Sequence, residues 1–283
     1  MDANVPGSQI GTMVSSKELV RQFWEEASCG EKLYLSDLSR EDFLRQAEIR
    51  YELEPFIPDF AEFEKYCGKK VLEIGVGLGA DHQRFAESGA ELHGIDLTRR
   101  AVDHVLHRFR VMGLSSDLSV GDAENLGFPD ETFDLVYSWG VIHHSPDTGK
   151  AAREILRVLR PGGEFKVMVY HRDSFVGYML WLRYALMKLR PFMTLDQIYA
   201  RYLESPGTKA YSVAEARSLF SGAAEIDIRN ILTHGDLLIS EAGQGHKGLV
   251  LSAARTIWPR FLIRRFFEGH GLFMLIRGRK GTR

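Results

Sequence analysis

Glu73-Ile74-Gly75-Val76-Gly77-Leu78-Gly79-Ala80 is the stretch on which the fold turns. Its three glycines alternate, directly after the apolar run Val71-Leu72 and before a segment of helical character. Glycine lets a backbone turn tightly, and its missing Cβ lets a ligand approach the main chain. Asp96 closes the next apolar stretch, Glu91 to Ile95, 21 residues after Gly75. A carboxylate there can accept both hydroxyl hydrogens of a ribose. Strand, glycine turn, helix, strand and acid together predict a nucleotide-type cradle.

The same texture runs outward from the turn. Ala80 to Ser88 reads as a helix ended by Gly89, and Thr98 as the N-cap of a helix reaching about Met112. Asp117–Val120 and Phe133–Trp139 are strands three and four. Thr148–Leu159 is helical, Pro161-Gly162-Gly163 is a turn, and Glu164–Tyr170 is strand five. Strands alternating with helices imply right-handed crossovers and a parallel sheet, a Rossmann-like α/β fold. Beyond it Phe175–Leu189 is a helix apolar on nearly every side and Val213–Ser221 a shorter one, with Ile226–Leu232 and Leu272–Ile276 as strands six and seven. Upstream, Leu19, Phe23 and Trp24, then Phe43, Ala47 and Tyr51, recur at helical spacing. The expected organisation is one structural domain. It has a disordered start (to about Ser16) and cap helices over 1–68, the cradle-bearing core over 69–171, a helical lid or insertion over 172–223, and sheet-completing strands over 224–283.

Composition narrows the class. The chain has 283 residues, 45% apolar and 26% charged, with a net charge of −2, so nothing global suits wrapping nucleic acid. Charge is uneven. Arg255 to Arg283 carries eight basic residues against Glu268 alone, a local +7 after a body of −9. Cys29 and Cys67 lack C-x-x-C spacing, which argues against a disulfide framework or structural zinc and suits the cytoplasm. The N-terminus does not read as a signal peptide, and Phe175–Leu182, the most apolar stretch, falls short of the roughly 20 residues of a bilayer span.

The turn alone does not name its ligand, because Gly75, Gly77 and Ala80 also satisfy a looser dinucleotide fingerprint. Three features favour a sulfonium nucleoside. Glu73, at the mouth of strand one, would repel a pyrophosphate and suit a methionine ammonium. Gly121-Asp122-Ala123 follows strand three, where an adenine edge could pair. Phe133-Asp134-Leu135-Val136 and Leu159-Arg160-Pro161-Gly162-Gly163 fall at strand four and at the turn into strand five. Together with Asp96 and Phe133–His144, these motifs resemble the class I S-adenosylmethionine (SAM)-dependent methyltransferases, in particular the small-molecule type 11 group, over residues 69–171. The resemblance implies a seven-stranded sheet of order 3-2-1-4-5-7-6 with only strand seven antiparallel, and SAM as cofactor. It implies Gly75, Gly77 and Gly79 along the methionine, Asp96 on the ribose, Leu97 beside the adenine, and Asp122 with Ala123 on the adenine. Glu73 and Ser138 complete the expected cofactor set. A nicotinamide oxidoreductase and a SAM-binding module without turnover remain as alternatives.

Methyl transfer from a sulfonium needs mostly alignment and dryness; a base helps only where the acceptor must lose a proton. His143, in the loop Gly140–Asp147 after strand four, is the candidate base or substrate-orienting group. Tyr170, His171, Cys29, Tyr34 and Tyr51 could also reach the pocket. A metal set of His143, His144, Asp147 and His171 is conceivable, but no metal is expected. The apolar helix from Phe175 and the basic-aromatic Trp258–Phe267 point to a hydrophobic or lipid-like small-molecule acceptor, met at an anionic membrane surface. Nucleic acid is not an expected partner, and the sequence does not fix an oligomeric state.

Overall fold

The computed structural model describes residues 15–239, 256 and 258–282. The expected disordered start lies almost wholly outside them. Seven strands form one sheet in the order β3-β2-β1-β4-β5-β7-β6, as the resemblance implied. They are β1 Lys70–Ile74, β2 Glu91–Asp96, β3 Asp117–Val120, β4 Phe133–Trp139, β5 Leu159–Tyr170, β6 Ala223–Ile231 and β7 Phe273–Lys280. The first five are parallel, and β7 runs antiparallel between β5 and β6.

Strand alternation divides the core into two layers. Leu72 and Ile74 of β1 face the helix α7 (Thr148–Val158), whose Ala151, Ile155 and Val158 share one stripe. Val71 faces the other way, onto Phe85 of α5 (Ala80–Glu87) and Val105 and Phe109 of α6 (Arg99–Met112). Buried on both sides from Val71 onward, β1 reads there as an apolar run broken only at Glu73. Thr98 caps α6 by accepting from the Ala101 amide, and Asp147 caps α7 through Lys150.

Between β4 and β5 the register jumps from Phe133↔Leu159 to Leu135↔Glu164. The Pro161-Gly162-Gly163 turn is thus a bulge within β5, with Gly162 at φ +75°. Ahead of the sheet come α1 Ser16–Glu26, α2 Glu31–Tyr34, α3 Arg40–Leu53 and α4 Ile57–Ala61. After β5 follow α8 Phe175–Tyr184, α9 Leu195–Tyr202 and α10 Val213–Leu219, and α11 Arg260–Phe266 precedes β7. Phe175 meets Trp258 and Phe267 edge-on, which joins α8 to the α11 region. Part of the basic C-terminal charge is paired on the sheet, Arg277 with Asp227 at 2.9 Å and Arg279 with Glu164 at 2.8 Å.

Candidate functional site

A cavity of about 850 Å³ opens at the carboxyl ends of β1, β2 and β4, where ligands of open α/β sheets bind. Small-molecule sites span ~300–1,000 Å³, so this one has room beyond a single nucleoside-sized ligand. Gly75, Gly77, Asp96, Leu97, Asp122 and Ala123 line one part of it, with Lys17 and Trp24 of α1. Met179, Leu180, Leu182, Met187, Leu238 and Trp258 line an apolar part. His144, Tyr170 and Glu204 also face it, and Cys29 and Tyr34 add to the wall.

The glycines play separate parts. At Gly75 (φ +82°) a Cβ would stand 2.1 Å from Cγ2 of Val141, so the β4 loop touches bare backbone. At Gly77 (φ +52°) the same atom would meet nothing within 4 Å, at a residue that lines the cavity. Gly79 lies off the cavity wall; it is the left-handed N-cap of α5, pressed against Val105. Asp96 accepts from the Thr98 amide (2.9 Å) and hydroxyl (2.8 Å) on one oxygen and from the Gly77 amide (3.3 Å) on the other. Burial nevertheless raises its pKa. Asp122 accepts from Lys17 Nζ at 2.7 Å, which brings α1 over this end.

Glu73 does not face the cavity. Its carboxyl lies 2.9 Å from His82 Nδ1 of α5, in full burial. The Ser116 hydroxyl donates to the Leu92 carbonyl, so it must accept from His82 Nε2, 2.8 Å away. Nδ1 of neutral His82 is then an acceptor, and Glu73 must bring the proton. Burial, which raises Glu73 and lowers His82 to about 3, favours this neutral pair. Held by His82 and turned away from the cavity, Glu73 does not meet a ligand there, so the charge argument for it falls. Ser138 is likewise buried off the cavity, with no partner for its hydroxyl among the described residues; the cavity-lining end of β4 is Trp139 and Gly140.

His143 is wholly buried, its ring 4.1 Å from Tyr170 and 4.2 Å from His144 between centroids. Burial first, then His144 and Lys209, push its pKa well below the usual imidazole range. Its neighbour His144 lines the cavity in its place. Tyr170, Cys29 and Tyr34 reach the cavity; Tyr51 does not, its hydroxyl donating to Asp81. Asp147 caps α7 and His171 bonds the Gly271 carbonyl, so neither joins His143 and His144.

Several contributors lay beyond sequence reasoning, Lys17, Arg50, Glu54 and Glu204 among them. Arg50 of α3 lines the cavity while holding Asp81 through both carboxylate oxygens, at 2.7 and 3.1 Å. Tyr51 and Tyr137 also donate to Asp81, and against its burial this set keeps the carboxyl below its ordinary range. Glu54, one turn further along, is pushed up to about 7 by burial, although its Oε2 lies 3.3 Å from Arg50. Glu204 follows α9, more than 30 residues beyond strand five, and no local motif marks it.

Residues 72–167 match a family model described as a methyltransferase domain. The chain is 34% identical over 142 residues to phosphoethanolamine N-methyltransferase 2 of Caenorhabditis elegans, covering 47% of this chain and 32% of that one. It is 34% identical over 125 residues to sterol 24-C-methyltransferase ERG6A of Gibberella zeae, covering 40% and 33%. The matches thus span about a third of the length of these relatives. The solved structure of Haemonchus contortus phosphoethanolamine N-methyltransferase 2, in complex with phosphomonomethylethanolamine and S-adenosylhomocysteine, superposes with a TM-score of 0.58 at 16% identity, over 93% of this chain and 60% of that one. The family match and the strand order make residues 72–167 a methyltransferase domain of the class I SAM-dependent fold. The same Haemonchus contortus enzyme is also solved in complex with S-adenosyl-L-methionine. The methyltransferase core fits that group on its own geometry: the space at Gly77 is clear, and Asp96 offers carboxylate oxygens beside it.

Proposed function

We propose that this methyltransferase passes the SAM methyl group to an apolar, lipid-like small molecule that enters past α8 and Trp258. The observation that carries this reading is the continuity of one cavity from the Gly77–Asp96 cradle to the apolar wall of Met179, Leu180, Met187 and Trp258. An apolar wall gains by covering an apolar ligand, roughly 25 cal/mol per Å² removed from water, and gives a phosphorylated amine little to bond. The sterol methyltransferase among the relatives is therefore the better analogy.

In this reading Gly75 and Gly77 let the methionine moiety lie against bare backbone, and Arg50 faces its carboxylate. Asp96 takes the ribose hydroxyls, Leu97 covers the adenine, and Asp122 and Ala123 meet its edge, with Lys17 and Trp24 closing over them. SAM supplies a sulfonium-activated methyl group. What the chain adds is alignment and exclusion of water, with residues 172–223 as the lid. His144, Tyr170 and Glu204 supply the polar wall that orients the acceptor's reacting atom, a role His143 is too enclosed to fill. Two cysteines without a disulfide suit a cytoplasmic setting.

We also place the mouth of the cavity at an anionic membrane. No helix among the described residues is long and apolar enough to cross one. Leu189 is 90% exposed, Phe192 96%, Phe261 77% and Phe266 66%, with exposed Lys188, Arg190, Arg264 and Arg265 beside them in sequence. Apolar tips among cations suit insertion at a headgroup layer.

Incubation with methyl-labelled SAM and separated lipid and polar metabolite extracts, read by mass spectrometry, tests the activity. Label should appear in the lipid fraction with S-adenosylhomocysteine released. Label confined to polar products refutes the apolar acceptor; binding of NADH with no heat from S-adenosylhomocysteine refutes the transferase.

A further inference from the structure

We propose that His143, His144 and Glu204 bind a divalent transition-metal ion of the zinc class, open to the acceptor cavity. One ring nitrogen of each histidine and one carboxylate oxygen of Glu204 lie within 4.8 Å of one another. Two histidines and a glutamate with an open fourth position form a donor set that suits catalytic zinc.

Hydrogen bonding fixes what faces what. The Thr208 hydroxyl donates to the Ser205 carbonyl at 2.7 Å, which leaves its oxygen as an acceptor 3.1 Å from His144 Nδ1. Ser205 Oγ stands 2.8 Å from the same nitrogen. A proton on His144 Nδ1 satisfies both hydroxyl oxygens, and that tautomer presents the Nε2 lone pair. Nε2 looks at Glu204 Oε2 across 3.4 Å, and that oxygen already accepts from the Tyr170 hydroxyl at 2.8 Å. Two acceptors face each other, an arrangement that calls for a cation between them. Zinc-to-nitrogen and zinc-to-oxygen bonds of ~2.1 Å at a tetrahedral angle put two ligand atoms ~3.4 Å apart.

His143 is the second, independent sign. It is wholly buried, and neither of its ring nitrogens has a hydrogen-bond partner among the described residues. Buried polar atoms are seldom left unmet, and a metal ion on one nitrogen would meet it. The supporting bonds are those that ligands need: Ser205 and Thr208 hold the tautomer of His144, and Tyr170 orients Glu204. His144 and Glu204 both line the cavity, so the open position faces the acceptor, where an oxygen or sulfur lone pair could take it. This departs from the sequence expectation of no metal, because Glu204 is brought in only by the chain after α9.

The proposal rests on the acceptor reading only for what the ion would touch, and its test stands apart from turnover. The full chain, expressed with zinc supplement, should carry close to one zinc per chain by elemental mass spectrometry. After chelation, cobalt(II) titration should give the visible bands of a low-coordinate site. Glu204→Gln should weaken cobalt binding at least about 100-fold, and Tyr170→Phe, which removes only an orienting bond, about 10–100-fold. Calorimetry with S-adenosylhomocysteine on every variant reports whether the fold and cradle persist. Absence of zinc and cobalt bands while S-adenosylhomocysteine still binds overturns the metal site and leaves the methyltransferase reading standing; a proton alone in the gap would give that result. Bands unchanged in Glu204→Gln overturn it equally.

Discussion

Alanine at Gly75 and at Gly77 should damage this protein in opposite ways. Both glycines have positive φ, +82° and +52°, where a Cβ costs about 1–2 kcal/mol. At Gly75 the new methyl would also lie 2.1 Å from Val141 Cγ2 and 2.9 Å from Cγ1, an overpacking of about 1–3 kcal/mol. Gly75→Ala should therefore lose about 2–5 kcal/mol of stability, and Gly77→Ala only about 1–2 kcal/mol. Ligand binding should run the other way at Gly77, whose methyl would take up open space in the cofactor cradle. Urea denaturation gives the stabilities, and calorimetry with S-adenosylhomocysteine gives the affinities. Trimming the clashing partner completes the test: Gly75→Ala with Val141→Ala should be more stable than the sum of the single changes by about 1–3 kcal/mol. Additive losses would show that the β4 loop does not rest on Gly75. Full affinity in Gly77→Ala would show that the ligand lies elsewhere.

Two further outcomes follow from charge and exposure. Glu54, pushed up to about 7 from an ordinary 4.5, holds its proton more tightly folded than unfolded, so its contribution is full below pH 4.5 and is lost as pH rises through 7. The difference amounts to about 3 kcal/mol at 1.36 kcal/mol per pH unit. Glu54→Gln should thus gain stability over wild type between pH 5 and pH 8 in denaturant melts, and an unchanged difference across that range would contradict the buried-proton account. At the cavity mouth, wild type should float with anionic liposomes at low salt and less at high salt. Phe192→Glu and Phe266→Glu should each cut that binding tenfold or more, since burying one such side chain is worth about 1.5–3 kcal/mol. Failure of wild type to float at low salt would remove the membrane contact.

Much of the core was legible because its physics is local. Gly75, Gly77 and Asp96 stand at spacings set by one turn and one crossover, and Thr98 announces a helix start within three residues. Alternation of strand and helix predicts the parallel sheet of the core, while its strand order came from the family resemblance. Side-chain direction was not legible. Glu73 sits where a charge would suit a sulfonium ligand, yet strand alternation turns it to the α5 face, where His82 takes it out of service. Ser138 and His143 fail as cavity residues for a similar reason: one residue along a strand or a tight loop swaps wall for interior.

What the sequence determined by itself is the cradle, since a glycine turn between strand and helix carries its own conformational demand and needs no distant partner. Tertiary structure alone decided the charged part of the remaining cavity wall. Lys17, Arg50 and Glu204 come from segments far apart in sequence and meet the cradle only once α1, α3 and the chain after α9 have packed over the sheet. Long-range packing leaves no periodic trace in any one segment, because each of these residues reads locally as an ordinary charge on a helix or loop.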